Sequence, residues 1–139
     1  MSIPSWLTYS LICLVLWGLW GLVLKIAYKG LPWIHVYFLS SLASFTIALI
    51  VFLIHRNGLN FSNKLSYIAL LAGVFSSSGY IFFVKALEKG EASIVLPLTA
   101  IYPAITVILA LILLGEKISV YQAIGIVLAL IAVVLLSME

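Results

Sequence analysis

The sequence predicts an all-α membrane protein of five transmembrane helices, and three observations lead there. Hydrophobic residues make up 65% of the 139 positions and charged ones 8%, against roughly 25% charged in an average soluble domain. The apolar residues fall in five continuous runs, each near the 18 to 20 that crossing a hydrocarbon core requires. The charges collect between those runs. A soluble fold of this length could not hide so much apolar surface, so lipid must cover the rest. The runs are continuous and not alternating, which argues against a membrane β-barrel.

In chain order the expected helices are residues 6–24, 33–54, 66–84, 92–114 and 119–136. Pro4 and Pro32 stand where a first turn tolerates a missing N–H. Gly30, Gly90 and Gly115 follow helical runs, where a left-handed cap favours glycine. Ser119 with Gln122 spells a capping box opening the fifth helix. The one clearly soluble connection, 55–65, holds Arg56, Asn57, Gly58, Asn60, Ser62, Asn63 and Lys64. The other connections are a few residues long, so consecutive helices should be antiparallel neighbours within one domain, 1–139. The first run has no basic start and no small-residue cleavage site, and is expected to stay as a helix. A single cysteine, Cys13, cannot form an internal disulfide. The net charge of +3 is spread over loops and forms no nucleic-acid face.

Basic residues in short loops normally set orientation. Arg56, Lys64 and Lys117 fall on one side and Lys25, Lys29, Lys85 and Lys89 on the other, which gives no bias. An odd number of crossings puts the ends on opposite sides, so two such units joined head to tail form an inverted repeat. A single unit reaches the same object by inserting both ways and pairing antiparallel.

Candidate binding groups lie inside the runs. Trp17 and Trp20 form an aromatic wall on the first helix, with Lys25 near its end; a lysine there usually snorkels to the interface. The second helix aligns Tyr37, Ser41, Ser44 and Ala48. The third carries Ser76, Ser77, Ser78 and Tyr80, which either pack or line a cavity. In the fourth, Pro97 and Pro103 remove the amides that Ser93 and Thr99 carbonyls would use, beside Thr99, Tyr102 and Thr106. Such breaks survive in lipid only where protein or a wet cavity satisfies them. The fifth helix bears Gly125, Ala129 and Ala132, a packing stripe within the bundle or between chains. Glu88, Glu91 and Glu116 sit at helix ends, so no carboxylate relay is expected inside a span. His35 and His55 are too far apart to share a metal, and no catalytic constellation or cofactor motif is readable.

Trp17, Gly18 and Lys25, then Ala86-Leu87, Gly90, Ala92-Ser93, Pro97, Pro103, Gly115-Glu116 and Gly125, resemble the landmarks of EamA-type members of the drug/metabolite transporter superfamily. The likeness covers nearly the whole chain and is most specific over residues 84–136. It implies one half of a ten-helix inverted-repeat transporter, with a cavity lined by the first, third and fourth helices. It also implies pairing with a second half. The chain departs from the related small multidrug-resistance proteins, which have four helices and a membrane glutamate in the first. The expectation is an exporter or exchanger of metabolites or drug-like molecules in a prokaryotic plasma membrane. It would work by alternating access as an antiparallel homodimer, or as a heterodimer with another five-helix unit. Trp17, Trp20, Ser77, Tyr80, Thr99 and Tyr102 are its expected substrate contacts. The rivals are a non-transporting subunit that scaffolds or regulates a partner, and a flippase for lipid-linked metabolites.

Overall fold

In a computed structural model, which describes residues 4–55, 58, 61–136 and 138, the regular elements among the described residues are all helical. They form two compact units, Met1–Lys89 and Gly90–Glu139. Arg56, Asn57 and Asn60 of the soluble connection lie outside the described residues.

The first unit contains α1 (Ser5–Ala27), α2 (Trp33–His55) and α3 (Lys64–Lys89), each long and apolar enough to cross a membrane. Pro4 and Pro32 stand just before their helices and serve through their carbonyls. Pro4 accepts from the amides of Leu7 (3.0 Å) and Thr8 (3.3 Å), and Pro32 from those of His35 (3.0 Å) and Val36 (3.3 Å). The Asn63 side chain opens α3 by accepting the Leu65 amide at 3.0 Å.

Two expectations are corrected here. The chain leaves α1 through a tightening turn, with Lys29 N–H on Ile26 C=O (3.1 Å) and Gly30 N–H on Ala27 C=O (3.2 Å). Gly30 and Gly90 therefore supply no left-handed cap; among the described glycines only Gly115 has a positive φ. The third helix also continues past residue 84, through Lys85, Ala86, Leu87, Glu88 and Lys89. These are strong helix formers. Hydropathy marks where apolar surface stops, which need not be where a helix stops.

That extra turn holds the unit together. Leu24, Val36, Val84 and Leu87 are its buried hydrophobic side chains, and Gly21 is buried beside them. Around this small core the end of α3 meets the α1–α2 connection. Lys25 donates from Nζ to the Leu87 carbonyl at 2.9 Å. The carbonyl is one of the last four in α3, which lack helical donors, and a cation suits the negative end of a helix. The Tyr28 hydroxyl donates to the Val84 carbonyl at 2.9 Å. Burial, with Tyr80 and Glu88 adding to the effect, pushes the Tyr28 hydroxyl up to about 12, so it stays a donor at physiological pH. The Trp33 amide, first of α2, donates to Glu88 Oε1 at 2.7 Å, which puts a carboxylate at the positive end of that helix. The Lys85 ammonium lies 4.4 Å from the Trp33 ring centroid, within cation–π range. Away from this clasp the side chains of all three helices are largely exposed.

The second unit contains α4 (Ala92–Thr99), α5 (Tyr102–Leu109), a wider π turn (Ala110–Leu114) and α6 (Val120–Leu136). Ala92–Leu114 as a whole is long and apolar enough to cross a membrane. The 17 residues of α6 reach about 25 Å at 1.5 Å each, the short end of what hydrocarbon demands. The five expected crossings thus resolve into four full-length spans and one shorter apolar helix. Gly115, at φ 66°, ends the π turn in the left-handed region. Ser119 then caps α6 reciprocally: its Oγ accepts the Gln122 amide (3.2 Å) and its own amide donates to Gln122 Oε1 (2.7 Å). Ala123, Ile126, Leu130 and Val133, at three-four spacing, form the half-buried face of α6, which packs on α4.

The two caps are separable in thermal or denaturant unfolding of the purified protein. Ser119→Ala should cost about 1 kcal/mol through the lost cap, and Gly115→Ala about 1 to 2 kcal/mol through left-handed strain. Wild-type stability in both variants would mean that this connection does not fix the start of α6.

Candidate functional site

The first unit places an aromatic and hydroxyl group inward of the clasp. Trp20 on α1 stacks on Phe83 of α3, with centroids 5.1 Å apart and planes 16° from parallel. Tyr80 joins Trp20 at 5.9 Å, Tyr37 of α2 at 5.6 Å and Phe83 at 6.2 Å. The Tyr80 hydroxyl shares a hydrogen bond of 2.8 Å with Ser40 Oγ. Ser40 also donates back to the carbonyls of Val36 and Tyr37, so it anchors the phenol to the α2 backbone. Tyr80, Tyr37 and Phe83 are half-buried, and Trp20 keeps 36% of its surface exposed. Such a surface can stack a planar group and hydrogen-bond to it. Trp20 lies about 10 Å along α1 from Ala27, at 1.5 Å per residue, which is a third of the way into a core of about 30 Å.

Of the residues expected to contact a substrate, Trp20 and Tyr80 come together here. Trp17, one turn earlier on α1, is 58% exposed, and Ser77, one turn before Tyr80, is exposed as well. Ser40 and Phe83 were not singled out by the sequence reading. Phe83 could have been found, because Tyr80, Phe83, Val84 and Leu87 trace one three-four stripe toward the buried core. Ser40 has no such signal. It is one hydroxyl among many, and only its partner distinguishes it.

Thr99 and Tyr102 belong to the second unit, on either side of an interruption in the fourth span. Pro97 sits inside α4, and the helix continues past it to Thr99. The interruption falls at Ala100 and Ile101, where the Ala100 amide reaches back to Leu96 (3.0 Å) and Pro97 (3.1 Å). Pro103 is then the second residue of α5, where its missing N–H costs little. Of the two prolines it is Pro103 that coincides with the break. Thr99 turns its hydroxyl to the Val95 and Leu96 carbonyls, at 2.8 and 3.0 Å, and Tyr102 is exposed. Thr106 similarly donates to Tyr102 C=O at 3.3 Å.

Beside the break lies a hollow of about 210 Å³. Ala100, Ile101, Pro103, Ala104 and Val107 line one side, and Ile126, Ala129, Leu130 and Val133 the other. Ala129 of the small-residue stripe thus faces this hollow. Gly125 and Ala132 are exposed, and a Cβ built on Gly125 would meet nothing within 4 Å.

Four spans long and apolar enough to cross a membrane, the fourth interrupted between Thr99 and Tyr102, are those of a multi-pass membrane protein. The chain matches the EamA-like transporter family over residues 4–138 and belongs to it. It is 35% identical over 133 residues to an uncharacterised protein of Methanocaldococcus jannaschii, an alignment that covers 94% of each chain. No solved structure matches the chain.

The Ser40–Tyr80 bond can be measured by a double-mutant cycle. Tyr80→Phe and Ser40→Ala should show a coupling of about 1 kcal/mol in unfolding. Ser40→Ala should be the costlier single change, because it takes a partner from a half-buried phenol hydroxyl, whereas Tyr80→Phe leaves Ser40 on the Val36 and Tyr37 carbonyls. Additive effects would mean that the two hydroxyls are not paired.

Proposed function

We propose that the protein is a secondary transporter, an exporter or exchanger of small metabolites or drug-like molecules, built from two five-helix units. The observation that carries this reading is the cluster of Trp20, Tyr37, Ser40 and Tyr80, which sets stacking faces and a hydroxyl pair within an otherwise apolar span region. Trp17 and Ser77 lie one turn away on the same helices and extend the contact surface. The interrupted fourth span, with Thr99, Tyr102 and Pro103, is the element that bends as access alternates.

Family membership supports transport. The archaeal relative, 94% covered by the same 133 residues, has room for one such unit only. A single unit acts by pairing with a second copy, antiparallel, or with another five-helix unit. The charge pattern supports two-way insertion. In the sequence Arg56, Lys64 and Lys117 stand against Lys25, Lys29, Lys85 and Lys89 on alternate connections, a count that gives no bias. The membrane is the plasma membrane of a prokaryote.

A panel of metabolites and drug-like amines loaded into proteoliposomes tests this. Wild type should release at least one compound. Trp20→Ala and Tyr80→Ala should each slow release about ten-fold, a loss worth about 1.4 kcal/mol of recognition, while inserting normally. Leu14→Ala on the exposed side of α1 should not. No release of any compound, or full release by both aromatic variants, contradicts the reading and favours a non-transporting subunit.

A further inference from the structure

We infer that the interruption in the fourth span, with the hollow beside it, is a binding site for a primary ammonium carried on a small apolar body. This deepens the transport reading, on which the ligand's role as cargo rests; the site itself stands on separate observations.

Two successive carbonyls there lack their helical donors. The residue four after Thr99 is Pro103, which has no N–H. The residue four after Ala100 is Ala104, whose amide goes instead to Ile101 at 2.9 Å. Ala100 lies about 12 Å along the helix from Ala92, near the middle of a core about 30 Å thick. Hydrocarbon offers no donor at that depth, so the carbonyls must be met by protein, water or ligand. The adjacent hollow, about 210 Å³, is much larger than one water molecule needs. Every lining side chain is aliphatic, from Ala100 and Pro103 to Ala129 and Leu130. Apolar walls retain water poorly and suit an alkyl or small ring body.

The donors of the ligand follow from the same backbone. The carbonyls close the C-terminal end of α4, and α5 begins two residues later, so the negative end of one helix dipole meets the positive end of the next. No Asp or Glu occurs between Ala92 and Leu114. A cation is therefore recognised by carbonyl oxygens alone, and through N–H donors rather than charge. Ala100, which bears one of the two carbonyls, lines the hollow and Thr99 directly precedes it; a primary ammonium held by these carbonyls would seat its apolar body there. A quaternary ammonium has the charge but no donor, and an alcohol has a single donor and no charge.

Equilibrium dialysis of radiolabelled hexylamine at pH 7 tests the site, with the full-length protein in phosphatidylcholine nanodiscs. Saturable binding is expected, with hexyltrimethylammonium and hexanol at least ten-fold weaker. Pro103→Ala restores the missing amide and Ala129→Phe fills the hollow. Each should weaken hexylamine at least ten-fold with helix content and insertion unchanged. The comparison among ligands on wild type holds even if a variant misfolds. Equal binding of hexyltrimethylammonium, non-saturable partitioning, or undiminished binding by a folded Ala129→Phe overturns the proposal. Repeating the titration in phosphatidylethanolamine discs separates cargo from lipid: unchanged affinity supports cargo, and competition by the headgroup overturns it. If hexylamine binds but nothing is released in the flux assay, the transport reading fails and the site stands. If flux persists without hexylamine binding, only the site fails.

Discussion

The last turn of α3 is the constraint on which the first unit depends. Three helices in lipid gain little from hiding apolar side chains from one another, because lipid tails are as apolar as leucine. Polar groups that hydrocarbon cannot satisfy are another matter. The Leu87 carbonyl and the Trp33 amide are orphans of two different helix ends, and each is met by a charged side chain from the other side of the clasp, Lys25 and Glu88. The buried residues Leu24, Val36, Val84 and Leu87 sit where these bonds bring the helices together. Packing follows the polar contacts here.

A unit held at one end leaves long stretches of apolar helix uncovered, and its aromatic cluster gains from that. Trp20, Tyr37, Tyr80 and Phe83 are fixed by rings on all three helices, yet Tyr37, Tyr80 and Phe83 are only half-buried and Trp20 is exposed. Rigid placement with an accessible face suits the recognition role proposed for it, since immobilised rings lose little freedom on binding. The second unit handles a similar tension with backbone instead of side chains. Pro103 withholds one donor and the turn at Ala100 diverts another, so polarity appears in a region where no polar side chain is required.

Much of this could be read from residues in order, because local signals act locally. Ser119 and Gln122 name a cap three residues long, and it forms. Gly115 marks a left-handed exit, and it is one. The long apolar runs and the family landmarks gave the all-helical membrane fold and the family. What escaped was long-range or backbone-directed. Lys25 reaches a carbonyl sixty-two residues on, and a carbonyl has no signature in a sequence, so snorkelling to the interface was the natural reading. Glu88 was placed at a helix end but not on an amide of another helix. Ser40 carries no pattern of its own, unlike the serine-rich stretch 76–78. Of the two prolines, only the structure distinguishes Pro97, which α4 accommodates, from Pro103, which coincides with the break.

The clasp can be tested through one atom. The first amide of a helix normally has no acceptor and exchanges freely with solvent, whereas that of Trp33 donates to Glu88. Protein labelled with ¹⁵N-tryptophan, in bilayer nanodiscs, reports on this amide by hydrogen exchange. Slow exchange of Trp33 in the wild type, becoming rapid in Glu88→Ala while the Trp20 amide within α1 stays protected, is the predicted result. Rapid exchange of Trp33 in the wild type, or protection that persists without Glu88, would contradict the view that the end of α3 holds the unit closed.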